Sequence, residues 1–165
     1  MKRFFFLVLI FLLAGCSLKV GVPRWSGSGF LRSEFLEYQS VAIAPFEGDD
    51  TGEVTAAFTL SFQRGFPRIS IVDRKRVQDA FREIALPVER LESGTRAKIG
   101  ETLAAEAFIS GSVYYPSILR WYLQVIVIDA GTGKVMGRSM VEIDFMGAEG
   151  IREGARFAVE KLVLW

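Results

Sequence analysis

Three short apolar runs, each too brief to be a buried helix and each followed by helical periodicity or a turn, set what this chain can become. Val41-Ala42-Ile43-Ala44-Pro45-Phe46 is the first, closed by a proline and suited to a strand buried on both faces. Thr51 can then cap a helix in which Val54, Ala57, Phe58 and Phe62 recur at helical spacing, stopped by Gly65 and Pro67. Residues 69–72 repeat the strand pattern, and Asp73 can cap a helix carrying Val77, Ala80, Phe81 and Ile84 on one face. Beyond the polar segment 86–94, Thr95 opens a third helix with Ile99, Leu103 and Ala104 inward, which runs into a strand over 107–115. Pro116 breaks that strand, and a fourth follows over 121–129. Ala130-Gly131-Thr132-Gly133-Lys134 is a hairpin turn leading to a fifth strand, 135–145, with Val135, Gly137, Ser139, Val141, Ile143 and Phe145 on one face and a wet opposite face. A helical stripe of Ile151, Ala155, Ala158, Val159 and Leu162 closes the chain. The expectation is a single α/β domain over residues 40–165: a mixed five-stranded sheet in the order β-α-β-α-α-β-β-β-α, flanked by helices, with parallel pairing early and an antiparallel meander late.

Ahead of the domain, Lys2 and Arg3 precede an unbroken apolar run from Phe4 to Leu13. That is the anatomy of an export signal, and the run falls short of the roughly 20 apolar residues a spanning helix needs. The run ends Leu13-Ala14-Gly15-Cys16, which resembles the lipobox of bacterial lipoproteins. The resemblance implies a signal peptide over 1–15, cleavage before Cys16, and acylation of its thiol and new amino group. Two or more acyl chains hold a protein stably on a bilayer, each buried methylene contributing about 0.8 kcal/mol. Ser17 after the cysteine resembles the outer-membrane sorting pattern, which implies an outer-membrane, periplasm-facing location. Residues 16–39, rich in glycine and serine from Gly21 to Gly29, read as a tether with a reach of about 80 Å fully extended and about 27 Å as a coil.

Composition removes much chemistry. The 165 residues contain no histidine and one cysteine, so histidine bases, Ser-His and Cys-His nucleophiles, ordinary zinc sites and disulfides all drop out. The formal charge of +1 becomes about −1 once Lys2 and Arg3 are removed, which gives no electrostatic reason to seek nucleic acid. No cofactor is expected, and no enzyme.

The opening strand 41–46, the junction Ile71-Val-Asp-Arg-Lys-Arg76, the segment ending Ala107-Phe-Ile-Ser-Gly-Ser-Val113 and the hairpin Val127-Ile-Asp-Ala-Gly-Thr-Gly-Lys-Val135 together resemble the periplasmic domain of the curli-secretion channel family (CsgG-like). They also resemble the amino-terminal domain of TolB and the lipoprotein activators of penicillin-binding proteins. The channel family inserts long amphipathic hairpins into the membrane, each strand needing about 9 to 11 residues. Only 117–120 separate the third strand from the fourth here, so the resemblance implies the scaffold and the anchor, not the pore.

The candidate residues are few. Glu47, Asp49, Asp50 and Glu53 crowd the carboxyl end of the first strand, as oxygen ligands for a hard cation or as acids favoured by a helix start. Arg74, Lys75, Arg76, Arg82, Arg90, Arg96 and Lys98, interspersed with acids, read as a solvated face. Tyr114, Tyr115, Arg120, Trp121 and Tyr122 gather the residue types that anchor interfaces and form the expected partner contact. The reading is a non-enzymatic envelope lipoprotein that binds a protein partner, with a self-associating ring subunit or a cell-wall synthase activator as alternatives.

Overall fold

A run of phenylalanines on one helix face needs an apolar sheet to lie on, and that requirement organises the domain. The computed structural model describes residues 25–82, 90–117, 120–143 and 147–163. Its strands are β1 (Trp25–Leu31), β2 (Ser40–Ile43), β3 (Ser70–Ile71), β4 (Ala107–Ser117), β5 (Arg120–Asp129) and β6 (Val135–Ile143). Its helices are α1 (Glu53–Gly65), α2 (Arg74–Phe81), α3 (Ser93–Leu103) and α4 (Ala148–Val163), with a 3-10 turn at Ser33–Glu37. They form one α/β domain around a mixed open sheet in the order β1-β6-β5-β4-β2-β3. β2 runs parallel to β3 and β4, whereas β4, β5, β6 and β1 are antiparallel.

The sheet therefore has six strands rather than five. The added one, β1, lies in the segment expected to be tether, and pairs along its whole length with β6, from Trp25 opposite Ile143 to Leu31 opposite Gly137. β6 is consequently internal, not the edge. Glycines make the fit possible: a Cβ on Gly27 would stand 2.7 Å from the Met140 carbonyl oxygen, and one on Gly29 2.6 Å from that of Lys161 at the end of α4. Only a residue without a side chain allows so close an approach of two backbones.

One face of the sheet carries α1 and α4. Phe35, Phe46, Phe58, Phe62 and Phe66 form a continuous set of ring contacts there, the tightest being Phe62 with Phe66 at 4.6 Å between centroids. The same layer buries Leu123, Val125, Val127, Val141 and Ile143 from the strands and Ala155, Ala158, Val159 and Leu162 from α4. The other face is covered by α2 and α3 over its β2 and β4 side, where Val77 and Leu103 meet Ala42, Phe108 and Ile128. Asp73 caps α2 as expected, accepting from the amides of Lys75 and Arg76. The expected Thr51 cap is shared: Thr51 accepts from Glu53, but the amides of Val54 and Thr55 donate to Asp49. Cys16, Ile84, Phe145 and Trp165 lie outside the described residues.

Two substitutions test this packing. Gly29→Ala should destabilise the domain by about 1 to 3 kcal/mol, because the new methyl meets backbone on both sides. Phe62→Ala should cost about 3 to 5 kcal/mol as a fully buried ring is lost. Urea unfolding measures both, and a neutral Gly29→Ala would show that β1 is not held as described.

Candidate interaction surfaces

Alternation along β4 and β5 sorts the expected aromatic patch onto two sides of the sheet. Trp121, Leu123, Val125 and Val127 all point toward α4, so Trp121 is fully buried. A Cβ on Gly154 of α4 would stand 3.2 Å from its ring. Trp121 is therefore packing beneath a helix and no part of a surface contact. Tyr115 stacks on its near side, centroids 6.4 Å apart, and is still 42% exposed. Tyr114 and Tyr122 face the other way, stacked at 6.0 Å, with Tyr114 62% exposed. Ordinary alternation puts the consecutive tyrosines on opposite faces, and Pro116 sits in the register irregularity between Tyr114 and Ser117, where its missing N–H is harmless. Arg120 is exposed and paired with Glu142 at 2.9 Å. Of the five residues expected in the contact, four remain accessible.

From Tyr122 the same outward row continues across the sheet. Gln124, Met140 and Ser28 lie side by side on adjacent strands, as do Ile126, Arg138 and Phe30. Met140 and Phe30 are 47% and 38% exposed, which leaves an apolar and aromatic face on the side away from α4. A second concavity, of about 800 Å³, runs between α1 and α4 past Leu60, Arg64, Arg152 and Arg156. Arg156 is held there by Glu153 and Glu160, which raise its already high pKa.

The acidic turn works as structure. Asp49 Oδ2 accepts from the Thr55 amide and from Thr55 Oγ1, both at 2.7 Å, and Thr55 Oγ1 in turn accepts from the Phe46 amide. These bonds tie the end of β2 to the first turn of α1. Among the described residues no group of three or more potential ligands is arranged for a metal ion. Burial and the negative charges of Asp49 and Asp50 push the Tyr115 hydroxyl pKa up. Arg96, counted in a solvated basic run, is instead buried, donating to the Leu91 carbonyl at 3.0 Å and lying against Gly133. At the β5–β6 turn, Asp129 accepts from the amide and hydroxyl of Thr132 and from the hydroxyl of Tyr38. Burial works against the carboxylate, but these hydrogen bonds outweigh it and hold the Asp129 pKa low. Burial, then the Asp129 contact, drives the Tyr38 pKa well above its usual 10.

No described helix is long and apolar enough to cross a membrane. No protein-family model matches the sequence, and no curated protein matches it either. Among solved structures, the PelC dodecamer from Paraburkholderia phytofirmans is similar with a TM-score of 0.53 at 12% identity, covering 85% of this chain and 96% of that one. Lipoprotein GNA1162 from Neisseria meningitidis is similar with a TM-score of 0.51 at 13% identity, covering 64% of this chain and 79% of that one. The shared property at such identities is the fold. The expected kinship with the curli-secretion channel is not confirmed by these likenesses; the fold is one shared with a bacterial lipoprotein, GNA1162.

Alkaline unfolding tests the raised pKa of Tyr38. A folded-state pKa raised above 10 gives stability that is fully present below pH 10 and is lost as pH rises beyond it. The wild-type chain should therefore lose stability more steeply above pH 10 than Tyr38→Phe, and equal slopes would show that burial and the Asp129 contact do not shift Tyr38.

Proposed function

We propose that this chain is a non-enzymatic lipoprotein of the bacterial envelope, held by acylated Cys16 on the periplasmic face of the outer membrane, where it binds another protein in an envelope assembly. The observation that carries this reading is the Leu13-Ala14-Gly15-Cys16 sequence ahead of a domain whose fold is shared with the lipoprotein GNA1162. The anchor is the acylated cysteine, and the working part is a surface. Tyr122, Met140 and Phe30, on the face away from α4, supply the flat aromatic and apolar area that protein contacts favour. Mass spectrometry of the protein from cells should find acyl chains on Cys16, and Cys16→Ser should move it from the membrane to the soluble fraction. Met140→Asp should leave the anchor intact and reduce recovery of the partner from solubilised envelopes at least tenfold, the effect of burying one unpaired charge at about 1.4 kcal/mol or more. An unmodified thiol, or unchanged fractionation of Cys16→Ser, removes the basis of the reading.

A second reading has its own support: the similar PelC structure is a dodecamer, and the sheet here ends in two open edges, β1 and β3. In that reading copies of this chain associate into a closed ring. Native mass spectrometry of the detergent-solubilised protein decides between them, since a strict monomer at high concentration excludes the ring.

A further inference from the structure

We infer that the end of the sheet where β4 finishes and β5 begins rests on the membrane itself, through the exposed residues Tyr114, Tyr115, Pro116, Ser117 and Arg120, and that the lipid it suits is zwitterionic. This rests on the reading of Cys16 as a lipid anchor and adds an orientation and a contact surface to it.

Chain length gives the orientation. β1 begins at Trp25, only nine residues after Cys16, so the start of β1 lies within about 30 Å of the bilayer if the link is fully extended and about 17 Å if it is a coil. Trp25 pairs with Ile143, and Ile143 pairs with Trp121. The start of β1, the end of β6 and the start of β5 are thus level with one another, at the end where β4 passes through Tyr114 to Ser117. The opposite end, with the turn around Thr132, is about 25 to 35 Å farther along the strands. The exposed tyrosines are accordingly at the tethered end.

Residue type gives the partner. Tyrosine and proline beside an arginine suit the headgroup layer, where an amphipathic ring keeps its hydroxyl wet and its body in the acyl boundary. Charge narrows the lipid. The β2–α1 turn lies at this same end, because the Glu47 carbonyl accepts from the Val113 amide and Tyr115 feels the charges of Asp49 and Asp50. Glu47, Asp49, Asp50, Glu53, Glu142 and Glu149 outnumber Arg74, Arg120 and Arg152 there. An anionic surface would repel this end, whereas a zwitterionic one would not.

The lone cysteine makes the test direct, because acylation consumes it. Ser117→Cys and Thr132→Cys each introduce one free thiol for an environment-sensitive fluorophore in the full acylated protein. Vesicles of phosphatidylcholine and phosphatidylethanolamine carrying a headgroup quencher should quench the label at 117 several-fold more than at 132. Replacing much of the lipid by phosphatidylglycerol should reduce that difference, and Tyr114→Glu with Tyr115→Glu should abolish it while circular dichroism and flotation stay unchanged. Flotation of the protein with equal, weak quenching at both sites overturns the seat and leaves the anchor standing. Failure to float overturns both. Shielding of 117 in native envelopes but not in pure vesicles assigns this end to a protein and overturns the lipid contact.

Discussion

The pairing of β1 with β6, closed over by the end of α4, is the contact on which the rest of the arrangement depends. It joins the first described strand to the most buried layer of the domain through backbone hydrogen bonds rather than through side chains. Gly27 and Gly29 lie close against the Met140 and Lys161 carbonyl oxygens because nothing bulkier fits. That contact converts a stretch that resembles a flexible leash into part of the sheet. It also sets the start of β1 level with the end of β6 and the start of β5.

The helices complete the other half of the division. α1 and α4 lie over one face of the sheet and seal the phenylalanine layer. α2 and α3 cover only the β2 and β4 side of the other face, leaving the outward rows of β5, β6 and β1 with Tyr122, Met140 and Phe30 available. The domain thus has a packed side and an open side, each produced by where apolar residues fall along strands of period two. Asp49 and Asp129, which a chemist would first inspect as reactive acids, are both occupied in holding turns closed.

Much of this was legible in the chain. The helical stripe through Val54, Phe58 and Phe62, the cap at Asp73 and the glycine-rich turn at Gly131 to Gly133 each act through local chemistry that needs no knowledge of the rest of the fold. β1 was not legible, because Trp-Ser-Gly-Ser-Gly has poor intrinsic strand preference and gains its conformation from β6 and α4. Its one local sign is glycine at every second position, the period of a strand face pressed against backbone. Trp121 was misplaced for a different reason. Its neighbours Tyr115 and Arg120 suggested a cluster, whereas the alternation with Leu123, Val125 and Val127 already put it inside. Arg96 shows the same limit, since one buried guanidinium in a charged helix follows from the turn packed on it and not from its own segment.

The antiparallel ladder between β1 and β6 has a mechanical meaning. Its hydrogen bonds run perpendicular to the strands, and a pull on Trp25 from the proposed anchor acts along the strand axis. Such a load is shared in shear by the whole seven-residue register at once, instead of peeling one bond after another. Under the anchoring proposed at Cys16, the domain can in this way be tugged repeatedly without unravelling from the place where it is held.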